Sequence, residues 1–181
     1  MLDDLKNALP EYARDLKLNL GAVLAPPALG AAQAAGVALA AAVASGEART
    51  IAALDAEAAS HGDAVARAAR IAAALMAMNN VYYRFIHLVE TKDYATMRAG
   101  LRMNGLAQPG IPAADFELMS LAVSAINGCG ACMDSHEKAV RRHGLAPEAV
   151  QAAVKIAAVV HAVARTLAAE ATVAPPLAQV A

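Results

Sequence analysis

Residues 113–142 read AADFELMSLAVSAINGCGACMDSHEKAVRR, and this stretch decides how the chain folds. From Ala113 to Ile126 nearly every residue is apolar, while Glu117, Ser120, Ser124 and Asn127 recur at intervals of three, four and three. That spacing puts the polar residues on one face of a helix. Asn127-Gly128 interrupts the run, and a second helix is expected from about Gly130 to Arg142 with Gly144 as its stop. Successive helical residues turn by about 100°, so Cys129, Cys132 and His136 fall in one stripe. The unit is therefore helix, turn, helix, with both cysteines of the chain at the turn.

The rest of the chain is built in the same way. Alanine accounts for 51 of the 181 residues and only six are aromatic, so an all-α fold with closely packed helices is expected. Upstream, Pro10 opens a helix to about Leu24, Pro26-Pro27 open another that stops at Gly46, and a third covers about Glu47 to Ser60. Asp63 is placed as the cap of a long helix from Ala64 to Glu90 with an interruption near Asn79-Asn80. Thr91 or Asp93 caps a further helix to about Asn104-Gly105, and Leu106 to Pro112 reads as a loop. The last helix runs from Pro147 to about Ala171. Residues 1–173 are expected to form a single all-α domain, followed by a frayed, flexible tail over 174–181. A helix ending in Asn79-Asn80 and followed by His87 echoes the one ending in Asn127-Gly128 and followed by His136. This suggests two similar halves, about 1–105 and 112–173, with the chemistry in the second.

Charge and targeting signals narrow the function classes. The formal net charge is −1 and the basic residues are dispersed, so a nucleic-acid surface is not expected. Leu18 to Gly46 carries no charge and is long enough to span a bilayer, but it is alanine-rich and broken by Pro26-Pro27 and Gly30. A buried helix or a subunit contact is expected there, and no membrane association. With no secretory leader pattern at Met1 and a cysteine pair that reads as a redox motif, a cytoplasmic, reducing compartment is expected.

The chemistry is carried by the cysteine stripe. Two intervening residues allow the sulfurs of a C-x-x-C pair to reach bonding distance, and a helix N-terminus with a nearby imidazolium lowers a thiol pKa. A dithiol that cycles with a disulfide is the leading reading. Two others stand beside it. The residues Cys129, Cys132, His136 and His143 have the spacing C-x2-C-x3-H-x6-H of a zinc site, although four collinear ligands on one helix do not easily surround a tetrahedral ion. The cysteines are alternatively two structural thiols. On the preceding helix, the serines read as a solvated face. Glu117, set among Phe116, Leu118, Met119 and Leu121, is expected to be partly buried with a raised pKa, and to meet His136 if the helices pack antiparallel. His143 and His61 read as helix-end residues and His161 as a hydrogen-bonded core residue.

Glu117 followed by Asn127-Gly128-Cys129-Gly130-Ala131-Cys132-Met133-Asp134-Ser135-His136-Glu137, in an alanine-rich chain of this length, resembles the alkyl hydroperoxide reductase D (AhpD) family of the carboxymuconolactone decarboxylase-like superfamily. The resemblance implies an all-α fold of two similar halves, assembled as a homotrimer. It implies a thiol peroxidase that also reduces a partner peroxiredoxin, AhpC. No tightly bound cofactor is implied: electrons come from dihydrolipoamide on a lipoylated dihydrolipoamide acyltransferase, itself served by dihydrolipoamide dehydrogenase. Carried over, Cys132 is the peroxidatic cysteine, Cys129 the resolving cysteine that forms the 129–132 disulfide, and His136 and Glu117 are members of a proton relay. Some relatives carry a further relay histidine where this chain has Ala131, so here water or a direct His136 contact must take its place. The alternatives are a general disulfide reductase or redox sensor, and a decarboxylase-like enzyme using His136 and Glu117 without sulfur.

Overall fold

The computed structural model describes residues 2–173, and every regular element among them is helical. The expected tail at 174–181 lies outside the described residues. In chain order the helices are α1 (Leu2–Asn7), α2 (Arg14–Val23), α3 (Ala31–Ser45), α4 (Ala48–Ser60), α5 (Asp63–Leu88), α6 (Asp93–Thr96), α7 (Ala113–Ile126), α8 (Gly130–Arg142) and α9 (Pro147–Val173), with short 3-10 turns at Glu11–Ala13 and Asn104–Leu106.

α3 is the centre of the bundle. It packs against α4, α5, α7 and α9, and the run from Ala34 to Ala42 is buried on every side. A helix that is apolar all round belongs inside a protein, so the 34–42 part of the uncharged stretch is a core helix, while Leu18 at its start is exposed. Small residues allow the close approach. A methyl group on Gly36 would collide with Met119 Cε of α7 and lie 3.2 Å from Val65 Cγ1 of α5. α9 is long and apolar enough by composition to cross a bilayer. Its Ala153, Ile156, Val160, Val163 and Leu167 are buried in the same core, where it packs on α2, α3 and α7.

Capping explains several boundaries. Pro26 and Pro27 form a turn closed by Leu29 N–H donating to Pro26 O at 3.2 Å, so α3 starts only at Ala31, and Gln33 Oε1 accepts from Gly30 N at 2.9 Å. Glu47 caps α4 by accepting from Arg49 N at 3.2 Å and Thr50 N at 2.7 Å. Arg49 Nη2 then donates to Leu167 O at 2.9 Å, tying the start of α4 to α9.

Four sequence expectations are corrected. The helix assigned from Pro10 is a 3-10 turn followed by α2, and α1 precedes it, anchored by buried Leu5. α5 runs unbroken through Asn79 and Asn80. Asparagine destabilises a helix by bonding its own backbone, whereas Asn80 spends its side chain on residues of another helix. The helix expected over 91–105 shrinks to α6, because Gly100 adopts a left-handed φ of 67° and the segment is largely exposed, without a face to bury. Finally, Ser120 and Ser124 are fully buried, not solvated, because that face of α7 looks toward α5 and α8.

Candidate active site

The site is assembled where α5, α7 and α8 meet. Asn127 ends α7, Gly128 turns the chain with a φ of 69°, and Cys129 is the N-cap of α8. A positive φ is costly for any residue with a side chain, so a glycine here lets α8 fold back along α7. Cys129 and Cys132 are joined by a disulfide, with Cα atoms 5.3 Å apart. Cys129 Sγ also accepts from Cys132 N at 3.3 Å. That places a sulfur at the positive end of the α8 dipole, where a thiolate is stabilised.

The two sulfurs differ in access. Cys129 is 0% exposed, whereas Cys132 is 7% exposed and lines a cleft of about 360 Å³. The other walls come from Ala131, Ser135 and His136 of α8, from Met76, Asn79 and Tyr83 of α5, and from Met103 and Leu106. An approaching molecule therefore meets Cys132 first. Asn79 Oδ1 and Ser120 Oγ are buried and have no hydrogen-bond partner among the described residues.

One turn beyond Cys132, His136 places its Nδ1 2.6 Å from Glu117 Oε2. The antiparallel packing of α7 and α8 thus unites the acid and the imidazole anticipated from sequence, and Glu117 is partly buried as expected. The other ring nitrogen, Nε2, is 3.2 Å from Met76 Sδ. Both nitrogens are therefore engaged, so of the two substitutes expected for a histidine at Ala131, water or a direct His136 contact, the direct contact is not made in the disulfide state.

A second network fixes the cysteine turn. Asn80 Nδ2 donates to Ser124 Oγ at 2.9 Å, Asn127 Nδ2 donates to Asn80 Oδ1 at 2.9 Å, and Arg84 Nη1 donates to Asn127 O. Met76, Asn80 and Arg84 recur at four-residue intervals, one stripe of α5. That stripe supports His136 at one end and the Asn127-Gly128 turn at the other.

The remaining histidines lie elsewhere. His143 is exposed at the C-cap of α8, eleven residues past Cys132 or about 16 Å along the helix. With the sulfurs bonded to each other and His136 held by Glu117 and Met76, the four positions of the zinc reading do not converge. His61 caps α4 and lies 3.7 Å from Glu57 Oε1. His161 Nδ1 meets Ser45 Oγ at 3.0 Å, and because that hydroxyl donates to Ala41 O at 2.7 Å, the ring nitrogen is the donor.

Comparison with known proteins agrees with this arrangement. Residues 92–174 match the family model described as the Carboxymuconolactone decarboxylase family. A protein named alkyl hydroperoxide reductase AhpD from Maricaulis maris is 57% identical over 170 residues, which cover 93% of this chain and 98% of that one. The chain belongs to the AhpD family. Further proteins of that name, from Frankia alni and Streptomyces griseus, are 54% and 52% identical and cover 90% and 96% of the chain and 89% and 98% of their own lengths.

Within this AhpD family member, sequence reasoning missed the whole contribution of α5. The chemistry is expected in the second half alone, yet Tyr83 of α5 walls the cleft and Arg84 holds the cysteine turn. A signal was present. Two adjacent asparagines inside an apolar helix are either a break or a buried polar contact, and the uninterrupted alanine pattern on their N-terminal side favoured the contact.

Proposed function

We propose that this chain is an antioxidant alkyl hydroperoxide reductase, a thiol peroxidase that also reduces the peroxiredoxin AhpC with electrons from dihydrolipoamide. The observation that carries the reading is the closed Cys129–Cys132 disulfide beside a cleft lined by His136, whose Nδ1 is held by Glu117. The names of its relatives support an alkyl hydroperoxide as substrate. AhpC as partner and lipoyl groups as donor rest on family likeness.

In this reading the more accessible member of the pair meets the peroxide. The Cys132 thiolate attacks the terminal oxygen of ROOH, the O–O bond breaks, and Cys132 becomes a sulfenic acid while RO⁻ leaves. His136, backed by Glu117, supplies the proton that makes ROH. The Cys129 thiol then attacks the sulfenic sulfur, water leaves, and the disulfide closes. A dihydrolipoyl thiolate reopens it at Cys132, because Cys129 is buried. Cys129 is the better leaving group, since its thiolate is held by Cys132 N–H and the α8 dipole. The second lipoyl thiol completes the exchange, leaving two cysteine thiols and oxidised lipoamide. The largely apolar lining, with Met76, Met103 and Leu106, suits an alkyl group.

The same reading places the protein in a reducing, cytoplasmic compartment, where the donor dithiol is maintained. It also includes a homotrimer. The apolar surface that supports a subunit contact is the exposed stripe of Val81, Phe85 and Leu88 on α5, near Tyr94 and Met97.

The test is NADH oxidation by dihydrolipoamide dehydrogenase, free lipoamide, this protein and an organic hydroperoxide, with and without AhpC. Cysteine-dependent consumption of NADH, stimulated by AhpC, is expected. Silence from a protein whose dithiol titrates normally would leave a general disulfide reductase or redox sensor. The description of the matched family model favours one further reading, decarboxylation by His136 and Glu117 without sulfur. Replacing both cysteines with serine abolishes activity in the first two cases and spares it in the third.

A further inference from the structure

We propose that Met76 is a positioning residue for the redox cycle: its sulfur holds the Nε2–H of His136 while the cysteines are disulfide-bonded and releases it to Cys132 when they are reduced. The inference rests on the dithiol cycle proposed above, but on neither the peroxide nor the lipoyl donor.

The argument begins with proton positions. A thioether has no proton to give and accepts hydrogen bonds only weakly. Met76 Sδ lies 3.2 Å from His136 Nε2. Two lone pairs facing one another at that distance would repel, so Nε2 carries a hydrogen that points at the sulfur. Asn80 Nδ2, 4.0 Å from the same sulfur, approaches it as a second donor. On the other side of the ring, Nδ1 and Glu117 Oε2 at 2.6 Å share one proton between them. The Glu117–His136 pair therefore holds two protons in the disulfide state and is neutral as a unit. It is loaded for delivery.

Reduction creates the recipient. Exchange with a dithiol breaks the Cys129–Cys132 bond and ejects each cysteine in turn as a thiolate. Of the two protons shed by the dithiol, one ends on Cys129 and the other passes to solvent, which leaves Cys132 a thiolate. Cys132 and His136 line one cleft, one helical turn apart. A thiolate is a charged acceptor and outcompetes a thioether for the same N–H, so the imidazole hydrogen passes from Met76 to Cys132. Met76 is 1% exposed and fixed within α5, which makes it a stationary rest position. Because the acceptor is weak, releasing it costs little. Its presence still keeps a partly buried N–H from being left without a protein partner in the oxidised form.

The consequence is a thermodynamic one. Removing the sulfur orphans Nε2–H in the disulfide state alone and shifts the dithiol–disulfide equilibrium toward the dithiol. The net worth of one hydrogen bond corresponds to about 3- to 10-fold, and tenfold is about 30 mV for this two-electron couple. The experiment is equilibration of wild type, Met76→Leu and Met76→Gln with graded ratios of reduced and oxidised dithiothreitol, with folding checked by circular dichroism. Leucine conserves volume without an acceptor, so its disulfide is expected to be about 3- to 10-fold easier to reduce. Glutamine, whose amide oxygen accepts, is expected to fall within about twofold of wild type. A folded Met76→Leu variant within twofold of wild type overturns the proposal. If that variant does not fold, the ¹⁵N spectrum of His136 in the wild-type protein decides. Nε2 protonated in the disulfide form, with its N–H resonance moving on reduction, supports the proposal, and an unprotonated Nε2 in the disulfide form overturns it. A wild-type protein with no reversible equilibrium at all would remove the proposed function itself, an outcome distinct from a normal equilibrium that ignores Met76.

Discussion

Asn80→Leu tests whether α5 holds the cysteine turn in place. Asn80 is 0% exposed and is bonded to both Ser124 and Asn127 at 2.9 Å. Leucine keeps the branching of asparagine but has no hydrogen-bonding group. Ser124 Oγ, fully buried, then loses its partner, and an unsatisfied buried polar atom costs about 1–3 kcal/mol. Asn127 is only partly buried, so water can replace much of its lost bond, for about 0.5–1 kcal/mol. Burying leucine in place of an amide returns part of this, which leaves an expected loss of about 2–3 kcal/mol. Urea unfolding at one fixed protein concentration measures it, as a lower midpoint with an unchanged slope. The same variant should slow disulfide closure, since Asn127 precedes Gly128 and Cys129 and its carbonyl is held by Arg84. A loss below about 0.5 kcal/mol together with unchanged closure kinetics would refute the reasoning and make the network a bystander.

Other expectations follow from the same geometry. Cys132→Ser abolishes peroxide turnover, while Cys129→Ser gives a single turnover and stalls at a sulfenic acid or mixed disulfide, as mass spectrometry after dimedone trapping will read. A sulfenate trapped on Cys129 would exchange the two roles. Glu117→Gln removes the carboxylate 2.6 Å from His136 and slows thiol reactivity by at least about tenfold, the lower end expected for an acid–base group. Stopped-flow rates equal to wild type would take Glu117 out of the relay. Burial pushes the Glu47 carboxyl upward, but hydrogen bonds from the Thr50 side chain and the Thr50 and Arg49 backbones outweigh it and hold the pKa below its ordinary 4.5. A carboxylate with a lowered folded pKa stabilises the protein fully above its unfolded pKa, and the contribution fades as pH falls through the folded value. Glu47→Ala should therefore cost about 1–2 kcal/mol at neutral pH, with the gap to wild type closing in acid. A gap independent of pH would show that the charge is irrelevant.

The placement of the site's pieces separates what local sequence carries from what packing carries. Periodicity on residues 113–126 and the Asn127-Gly128 break are local signals, and they located α7, the turn and α8 almost to the residue. The C-x-x-C spacing and the glutamate–histidine pairing are nearly local as well. Glu117 and His136 are nineteen residues apart across one tight turn, so antiparallel packing alone brings them together. α5 is different. Met76 lies sixty residues before His136, and nothing in either helix's own pattern states that they touch.

The same division explains the errors. An asparagine pair and a polar stripe have the same appearance in a sequence whether their side chains meet water or one another. Periodicity alone makes Asn79-Asn80 a break and Ser120 and Ser124 a solvated face, yet they are buried where α5 crosses α7. The helical class, the C-x-x-C pair and the pairing of Glu117 with His136 were legible in the sequence alone, because those depend on periodicity and short spacings. Tertiary structure decided which sulfur faces the cleft, which residues wall it and what His136 touches when the disulfide is closed. Those contacts join residues far apart in the chain, and a helix surface reveals which side is polar but not what lies against it.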